Sequence, residues 1–437
     1  MTDVPAGRPL GSSPASQASP LSAAERLLKK RYAAERRFKA YGVIAIVVAL
    51  GFLTLLMGRI ISQGYTAFWS NSVSFQVYVD PAKVDAHDLA GANYDMLIAT
   101  SLLKAVGAPD DELGDNATKA RSLFSKQLAY TLLDRLKADP GLIGKTVTLR
   151  GPVSDDADLY YKGEVKRSTP EEFRKLDNTA LAWLDRLRAS KAVTGGFNVA
   201  FLSRSDSTEP ELAGVLGAVA GSALTLVITG LLCVPIGVLA ALYLEEFAPK
   251  GRFTDFVEVN INNLAAVPSI VYGLLGLAVF INWMGLPRST PVVGGLVLAL
   301  MALPTVIIAT RAALKAVPPS IREGALAVGA SRTQTVFHHV LPLAMPGVMT
   351  GSILGMAHAL GETAPLLMIG MVSFVPGVPQ SFTSAATVLP VQIFIWENAS
   401  ERAFHERTAA AIIVLLAFMI VMNLAAIILR RRFERRW

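Results

Sequence analysis

Long apolar runs alternate with polar stretches along this chain, and the runs have the length of membrane spans. A hydrocarbon layer of about 30 Å is crossed by roughly 20 apolar residues in a helix. Six runs reach that scale. The first is Tyr41 to Met57, extended past Arg59 to Ile61. The second, Leu212 to Leu244, carries no charge. The third is Ile261 to Trp283 and the fourth Pro291 to Thr310. The fifth, Leu343 to Val375, is interrupted by His358 and Glu362. The sixth is Thr408 to Leu429. The pattern predicts an all-α polytopic membrane protein with six transmembrane helices.

Between the first two runs the periodicity changes. Val73, Phe75, Val77 and Val79 alternate with polar residues, which is the period of a strand. Tyr94, Leu97, Ile98, Leu102 and Ala105 follow helical spacing, as do Leu128, Leu132, Leu133 and Leu136. Lys145 to Arg150 reads as a short strand. Thr169-Pro-Glu-Glu172 reads as a helix start, with Phe173, Leu176, Trp183, Leu184 and Leu187 on one face. Residues 62–210 are therefore expected to form a small inserted α/β domain outside the membrane.

The remaining boundaries follow from these. Residues 1–40 form a basic cytosolic segment. Its first 22 residues or so are rich in Ser, Pro, Ala and Gly and are expected to be disordered, and Glu25 to Lys39 reads as a basic amphipathic helix. Residues 41–61 are an anchor, 211–430 a five-helix membrane unit with a polar loop at 312–342, and 431–437 a basic tail.

Charge fixes the orientation. The formal net charge is +7. Residues 62–210 hold 18 Lys/Arg against 20 Asp/Glu, so the basic excess lies elsewhere. It flanks the runs: Lys29, Lys30, Arg36, Arg37 and Lys39 precede the first, and Arg430, Arg431, Arg432, Arg435 and Arg436 follow the last. Basic residues collect on the untranslocated side. Six spans with both termini in the cytosol satisfy that rule. This predicts a multi-pass protein of the cytoplasmic (inner) membrane, with residues 62–210 extracytoplasmic and the 312–342 loop inside. The excess is thereby a membrane signal and implies no nucleic-acid partner. The single cysteine, Cys233, permits no disulfide within the chain.

The loop is the most structured polar segment of the membrane half. Ser320-Ile-Arg-Glu323 and Ser331-Arg-Thr-Gln334 both read as capping boxes. Gly329 between them supplies a left-handed stop, and Leu341-Pro342 is expected to end the unit. A compact pair of helices on the cytosolic face is a docking surface.

Ionisable groups inside spans point to function. His358 and Glu362 lie four apart, on one helix face. Gly361 would admit a neighbouring helix, Thr363 adds a hydroxyl, and Pro365 removes a backbone donor. Their depth favours a substrate path or gate over a structural hydrogen bond between spans. Arg311, at the end of the fourth run, is read equally as snorkelling to the interface or facing a polar path. Pro268-Ser269 could break the third run and expose a helix N-terminus. Ile143-Gly-Lys-Thr146 resembles the end of a P-loop, but Asp139 stands where that motif needs glycine. His87 near Asp85 and Asp88 reads as a solvated loop, so no metal site is expected. No convergent set of nucleophile, base and acid is found, and no enzyme is expected.

The spacing of Glu323, Gly329, Leu341 and Pro342, with Gly324 and Ala325 after the glutamate, resembles the EAA loop of ABC-transporter permeases. Gly361-Glu-Thr-Ala-Pro-Leu366, Val267-Pro-Ser-Ile-Val-Tyr-Gly273 and Leu389-Pro-Val-Gln-Ile393 together resemble the A-type permease family of phosphate importers (PstA). The long N-terminal half, with Phe75-Gln-Val-Tyr-Val-Asp-Pro81, is similar to an extended subgroup of that family. The resemblance implies a MetI-like permease core and import of inorganic phosphate. It implies as partners a second permease of PstC type, two ATPase subunits that dock on the EAA-like loop, and a periplasmic phosphate-binding protein, all within membrane lipid. This chain would bind no cofactor, and ATP and Mg would be used by the ATPase. The family also implies roles for Arg311, His358 and Glu362 in the path, but it usually carries arginine at the position of His358. Two rival expectations are a permease for another oxyanion or small solute and, in a different class, a membrane-anchored sensor with an external ligand domain.

Overall fold

A computed structural model describes residues 20–108, 113–372 and 374–433. The disorder expected at the N-terminus falls outside these residues as far as residue 19, as do residues 434–437 of the basic tail. Residues up to Arg59 form one compact unit and residues from Ile60 onward a second.

In the first unit the described chain is helical throughout. Helix α1 (Pro20–Gly64) begins in it and carries the first apolar run. The large apolar side chains from Tyr41 to Leu56 are exposed. A helix apolar on every side is a membrane span rather than a surface helix.

The second unit opens with a small domain built on three strands. These are β1 (Trp69–Tyr78), β2 (Thr146–Pro152) and β3 (Val193–Phe197), in the order β2-β1-β3 and antiparallel throughout. Around them lie α2 (Tyr94–Ala105), α3 (Leu113–Arg121), α4 (Gln127–Ala138), α5 (Asp155–Lys162), α6 (Asn178–Ala189) and α7 (Val199–Ser203). The expected alternation holds: Val73, Phe75, Val77 and Val79 are buried in one core with Leu97, Ile98, Leu102, Leu128, Leu132 and Leu136. Lys145 to Arg150 leads into β2 with Gly144 at φ 80°, so Ile143 to Thr146 is a turn into a strand.

Two features of this domain differ from expectation. Thr169-Pro170 starts only a single 3-10 turn, Glu171–Phe173, and Phe173 is exposed. Helix α6 begins later, where Asp177 Oδ1 accepts from the Ala180 N–H at 2.7 Å. An aspartate cap there competes better than a proline that leaves the next turn exposed. The third strand, Val193-Thr-Gly-Gly-Phe197, has no readable alternation; pairing with Trp69 to Val73 creates it.

The membrane part comprises α8 (Leu216–Leu242), α9 (Arg252–Ala265), α10 (Ser269–Gly276), α11 (Pro291–Lys315), α12 (Pro319–Ala327), α13 (Arg332–Gln334), α14 (Leu341–Gly361), α15 (Ala364–Met368), α16 (Leu389–Glu397) and α17 (Arg402–Phe433). Among the described residues of the whole chain, five helices, α1 included, are long and apolar enough to cross a membrane, and six if the bent pair α9 and α10 counts as one. That pair corrects the expected third span. The run from Ile261 to Trp283 is no straight helix; it turns through 99° between Ala265 and Ser269, where Pro268 lacks an N–H. The expected fifth span is also shorter. Helix α14 stops at Gly361, and Glu362 is already extended (ψ 129°).

Small residues set the packing of the long helices. Gly347, Gly351 and Gly355 repeat every four residues along one stripe of α14. A Cβ on Gly351 would lie 2.2 Å from Ala309 Cβ, and one on Gly347 would lie 2.6 Å from Ala313 Cβ. Rising numbers on α14 thus face falling numbers on α11, so the two helices run antiparallel in a fixed register.

Candidate translocation path and docking loop

The 312–342 loop folds as two helices around a left-handed glycine, but its first cap differs from expectation. Helix α12 starts on Pro319 after Pro318, with no side-chain cap. A proline at the first helical position has its φ preset and needs no donor, so Ser320 falls inside the first turn and makes no capping box with Glu323. The second box is present: Ser331 Oγ accepts from Gln334 N–H at 3.2 Å and Gln334 Oε1 accepts from Ser331 N–H at 2.9 Å. Gly329 sits at φ 89°. Glu323, Gly324 and Gly329 are exposed and Ala325 is buried. Leu341-Pro342 does not end the unit. A π-helical turn, Thr335–Val340, carries α13 straight into α14. The wider turn relieves the clash of the proline ring with the preceding carbonyls.

Three consecutive residues at the end of α8 hold this loop and the span beside it. They belong to a second π-helical turn, Tyr243–Phe247. Glu246 receives Arg322 of α12 in a fork: Nε at 3.2 Å to both carboxylate oxygens and Nη2 at 2.7 Å to Oε1. The same guanidinium donates to the carbonyls of Leu314 (2.9 Å) and Val317 (2.8 Å). The Phe247 ring lies under Arg332, 5.8 Å from the guanidinium carbon. Glu245 faces α11, with Oε2 at 3.5 Å from Arg311 Nε and 3.7 Å from Lys315 Nζ.

Arg311 is thus held by carboxylates from two elements in this conformation. Its side chain is largely buried, and Nη2 lies 2.7 Å from Glu258 of α9. The longer approach to Glu245 is a Coulombic contact, because Nε makes no hydrogen bond.

His358 and Glu362 meet as the spacing predicts, Nε2 to Oε1 at 3.3 Å. Glu362 is half-buried at the end of α14 and Thr363 follows it. The close helix approach expected at Gly361 is absent: among the described residues no atom lies within 4 Å of its Cβ position. Gly361 instead marks the end of the helix. The close approach is made by Gly273 of α10, whose Cβ would stand 2.7 Å from Pro365 Cα. Pro365 is the second residue of α15, and Pro268 is the N-cap of α10 immediately before Ser269.

The register of α14 on α11 gives the depth. Extended by about one turn, it sets His358 level with Ala302, near the middle of α11. Arg311 is nine residues further along α11, about 14 Å along its axis at 1.5 Å per residue. The expected path residues thus form two sites in this conformation. His358 and Glu362 share one at mid-span. Arg311 belongs to the other, beside the docking loop.

Sequence reasoning missed Glu245, Glu246 and Glu258 as partners. The doublet Glu245-Glu246, directly after an uncharged run of 33 residues from Leu212 to Leu244, was a legible signal.

Comparison with known proteins decides the family. Residues 233–437 match the model of the binding-protein-dependent transport system inner membrane component, and residues 25–171 match a domain of unknown function, DUF3333. A probable ABC transporter permease protein, YqgI of Bacillus subtilis (strain 168), is 32% identical over 238 residues, 52% of this chain and 81% of the relative. The chain belongs to the binding-protein-dependent inner membrane permeases. A further relative is the phosphate transport system permease protein PstA 1 of Mycobacterium tuberculosis (strain ATCC 25618 / H37Rv), 33% identical over 223 residues, 51% of this chain and 71% of that one. Among solved structures, the MetNI methionine ABC transporter in an inward-facing conformation aligns with a TM-score of 0.43 at 18% identity, over 51% of this chain and 96% of that one. This permease is a membrane-embedded transport subunit and not an enzyme.

Proposed function

We propose that this permease imports inorganic phosphate as the A-type subunit of an ATP-driven importer. The observation that carries the substrate is the 33% identity with a phosphate transport permease over 223 residues, 51% of this chain. The geometry supports the role. The 312–342 loop offers Glu323, Gly324 and Gly329 on an exposed pair of helices fit to receive an ATPase subunit, which would bring the ATP and Mg. A second permease of PstC type would supply the other half of the path, a second ATPase copy would dock on it, and a periplasmic binding protein would deliver the anion. Both termini lie in the cytosol on this reading. Residues 41–61 anchor the chain, 62–210 are extracytoplasmic, and 211–430 form the five-helix transport unit of an inner-membrane protein.

Phosphate carries one to two negative charges and needs donors at each stage of a low-dielectric path. His358 and Thr363 supply donors at mid-span, and Arg311 supplies a permanent cation nearer the cytosol. Glu362 attracts no anion. It holds His358 in the resting state, or takes a proton from protonated phosphate. The break at Pro268-Ser269 and the end of α14 at Gly361 would let this region open.

The test is uptake by the purified complex in proteoliposomes with the binding protein and internal ATP. Radiolabelled phosphate should accumulate, and excess unlabelled sulfate should not compete. Accumulation of another labelled oxyanion with no phosphate uptake would assign the path to that anion. Unchanged uptake by Glu362→Gln would remove both roles given to Glu362.

A further inference from the structure

We propose that the π-helical turn Tyr243–Phe247 couples the docking loop to the transport helices, with Glu246 as the positioning residue. The proposal rests on the docking role given above to the 312–342 loop. Successive residues of the turn hold different elements. Glu245 reaches Arg311 and Lys315 on α11, Glu246 reaches Arg322 on α12, and Phe247 lies under Arg332 at the start of α13. Both helices of the docking loop and the inner end of a transport helix are thus fastened to one short segment.

The Glu246 contact is the stiffest of these. The carboxylate is nearly buried, with its side chain 9% exposed, and takes a two-pronged fork, the geometry that fixes orientation as well as distance. Arg322 spends its other donors on the carbonyls of Leu314 and Val317, at and just past the end of α11. Such carbonyls have no partner within their own helix. Helix α12 therefore cannot tilt without pulling the end of α8 and the end of α11 together. A π-helical turn is where a helix can change its bonding pattern, so the segment holding the load is also the one able to yield. Arg311 shares that segment through Glu245 and is tied to α9 through Glu258. A push on the docking loop would thus reach the contacts that hold Arg311 closed.

A merely structural pair would change the amount of folded protein and leave coupling intact. The experiment uses the full complex of both permeases and two ATPase subunits, with binding protein, in proteoliposomes. It measures ATPase retention on purification, ATP hydrolysis, and phosphate moved per ATP hydrolysed. For Glu246→Gln we expect the ATPase to remain bound and to hydrolyse ATP, with at least a tenfold fall in phosphate moved per ATP. Arg322→Lys should behave alike, since one ammonium cannot reach the carboxylate and both carbonyls together. Glu246→Asp should restore part of the coupling. A wild-type ratio of phosphate to ATP in both Glu246→Gln and Arg322→Lys would overturn the proposal. So would loss of the ATPase from either purified complex, which would make the pair a docking contact alone. The reading beneath fails separately: a Gly329→Asp complex that keeps its ATPase, or a wild-type complex that moves no phosphate, would contradict it.

Discussion

Glu258 Oε1 lies 2.7 Å from Arg311 Nη2 and ties helix α9 to the inner end of α11. On the transport reading this pair closes the inner end of the path in the resting state. Arg311→Ala should lower the initial rate of phosphate uptake at least tenfold at normal abundance. Arg311→Lys keeps the charge but loses the planar fork and should fall in between. Glu258→Gln weakens the tie while keeping Arg311, so it should raise ATP hydrolysis in the absence of binding protein. Equal uptake by wild type and Arg311→Ala would remove Arg311 from the path.

His358 stands where the resembling family usually has arginine. A guanidinium is always charged and presents five donors in a planar fork, whereas an imidazole presents at most two. His358→Arg should therefore raise the initial rate of phosphate uptake at normal abundance, and His358→Ala should lower it. Equal uptake by His358→Ala and wild type would remove His358 from the path.

The stripe Gly347, Gly351, Gly355 makes a prediction about packing. Gly351→Leu forces a side chain into a space where even a Cβ would sit 2.2 Å from Ala309 Cβ. Overpacking of this kind costs about 1–3 kcal/mol or more. Thermal unfolding in detergent should show a lower Tm for Gly351→Leu, and Ala309→Gly in the same chain should recover part of it. An unchanged Tm would contradict the close register of α11 and α14.

Asp206 lies between the small domain and the spans, and its Oδ1 accepts from Trp396 Nε1 at 2.8 Å. Burial pushes its carboxyl above the ordinary value. The folded state therefore binds this proton more readily than the unfolded state, so stability falls as pH rises through the raised value. Asp206→Asn keeps an acceptor for Trp396 and removes the cost of the buried charge. Its Tm should exceed that of wild type at neutral pH, and the gain should shrink on acidification. A lower Tm at neutral pH would show that the ionised carboxylate is needed.

Much of this architecture was legible in the sequence because the bilayer imposes length and apolarity on each run. The alternation of Val73 to Val79 and the capping box at Ser331 were equally plain, since each is decided within a few residues. What escaped was decided between distant segments. Gly273 of α10 packs against Pro365 of α15, a contact across 92 positions that no local pattern records. Strand β3 takes its register from Trp69 to Val73, and the partner of Arg322 lies 76 residues away. Pro318-Pro319 displaced the expected cap at Ser320 because two local signals competed and the backbone constraint won. The separation of Arg311 from His358 required the glycine register, whose four-residue repeat was present in the sequence but had no visible partner.

Phosphate import through a permease that borrows its ATPase is the proposed role. Its most direct measurement is uptake of radiolabelled phosphate at micromolar concentration in cells lacking this chain and any redundant system, with the gene restored as wild type or as Gly329→Asp at normal abundance. Loss on deletion, recovery with wild type and failure of Gly329→Asp are the results predicted. Undiminished uptake without the chain would contradict phosphate as its substrate, and full rescue by Gly329→Asp would contradict the docking loop.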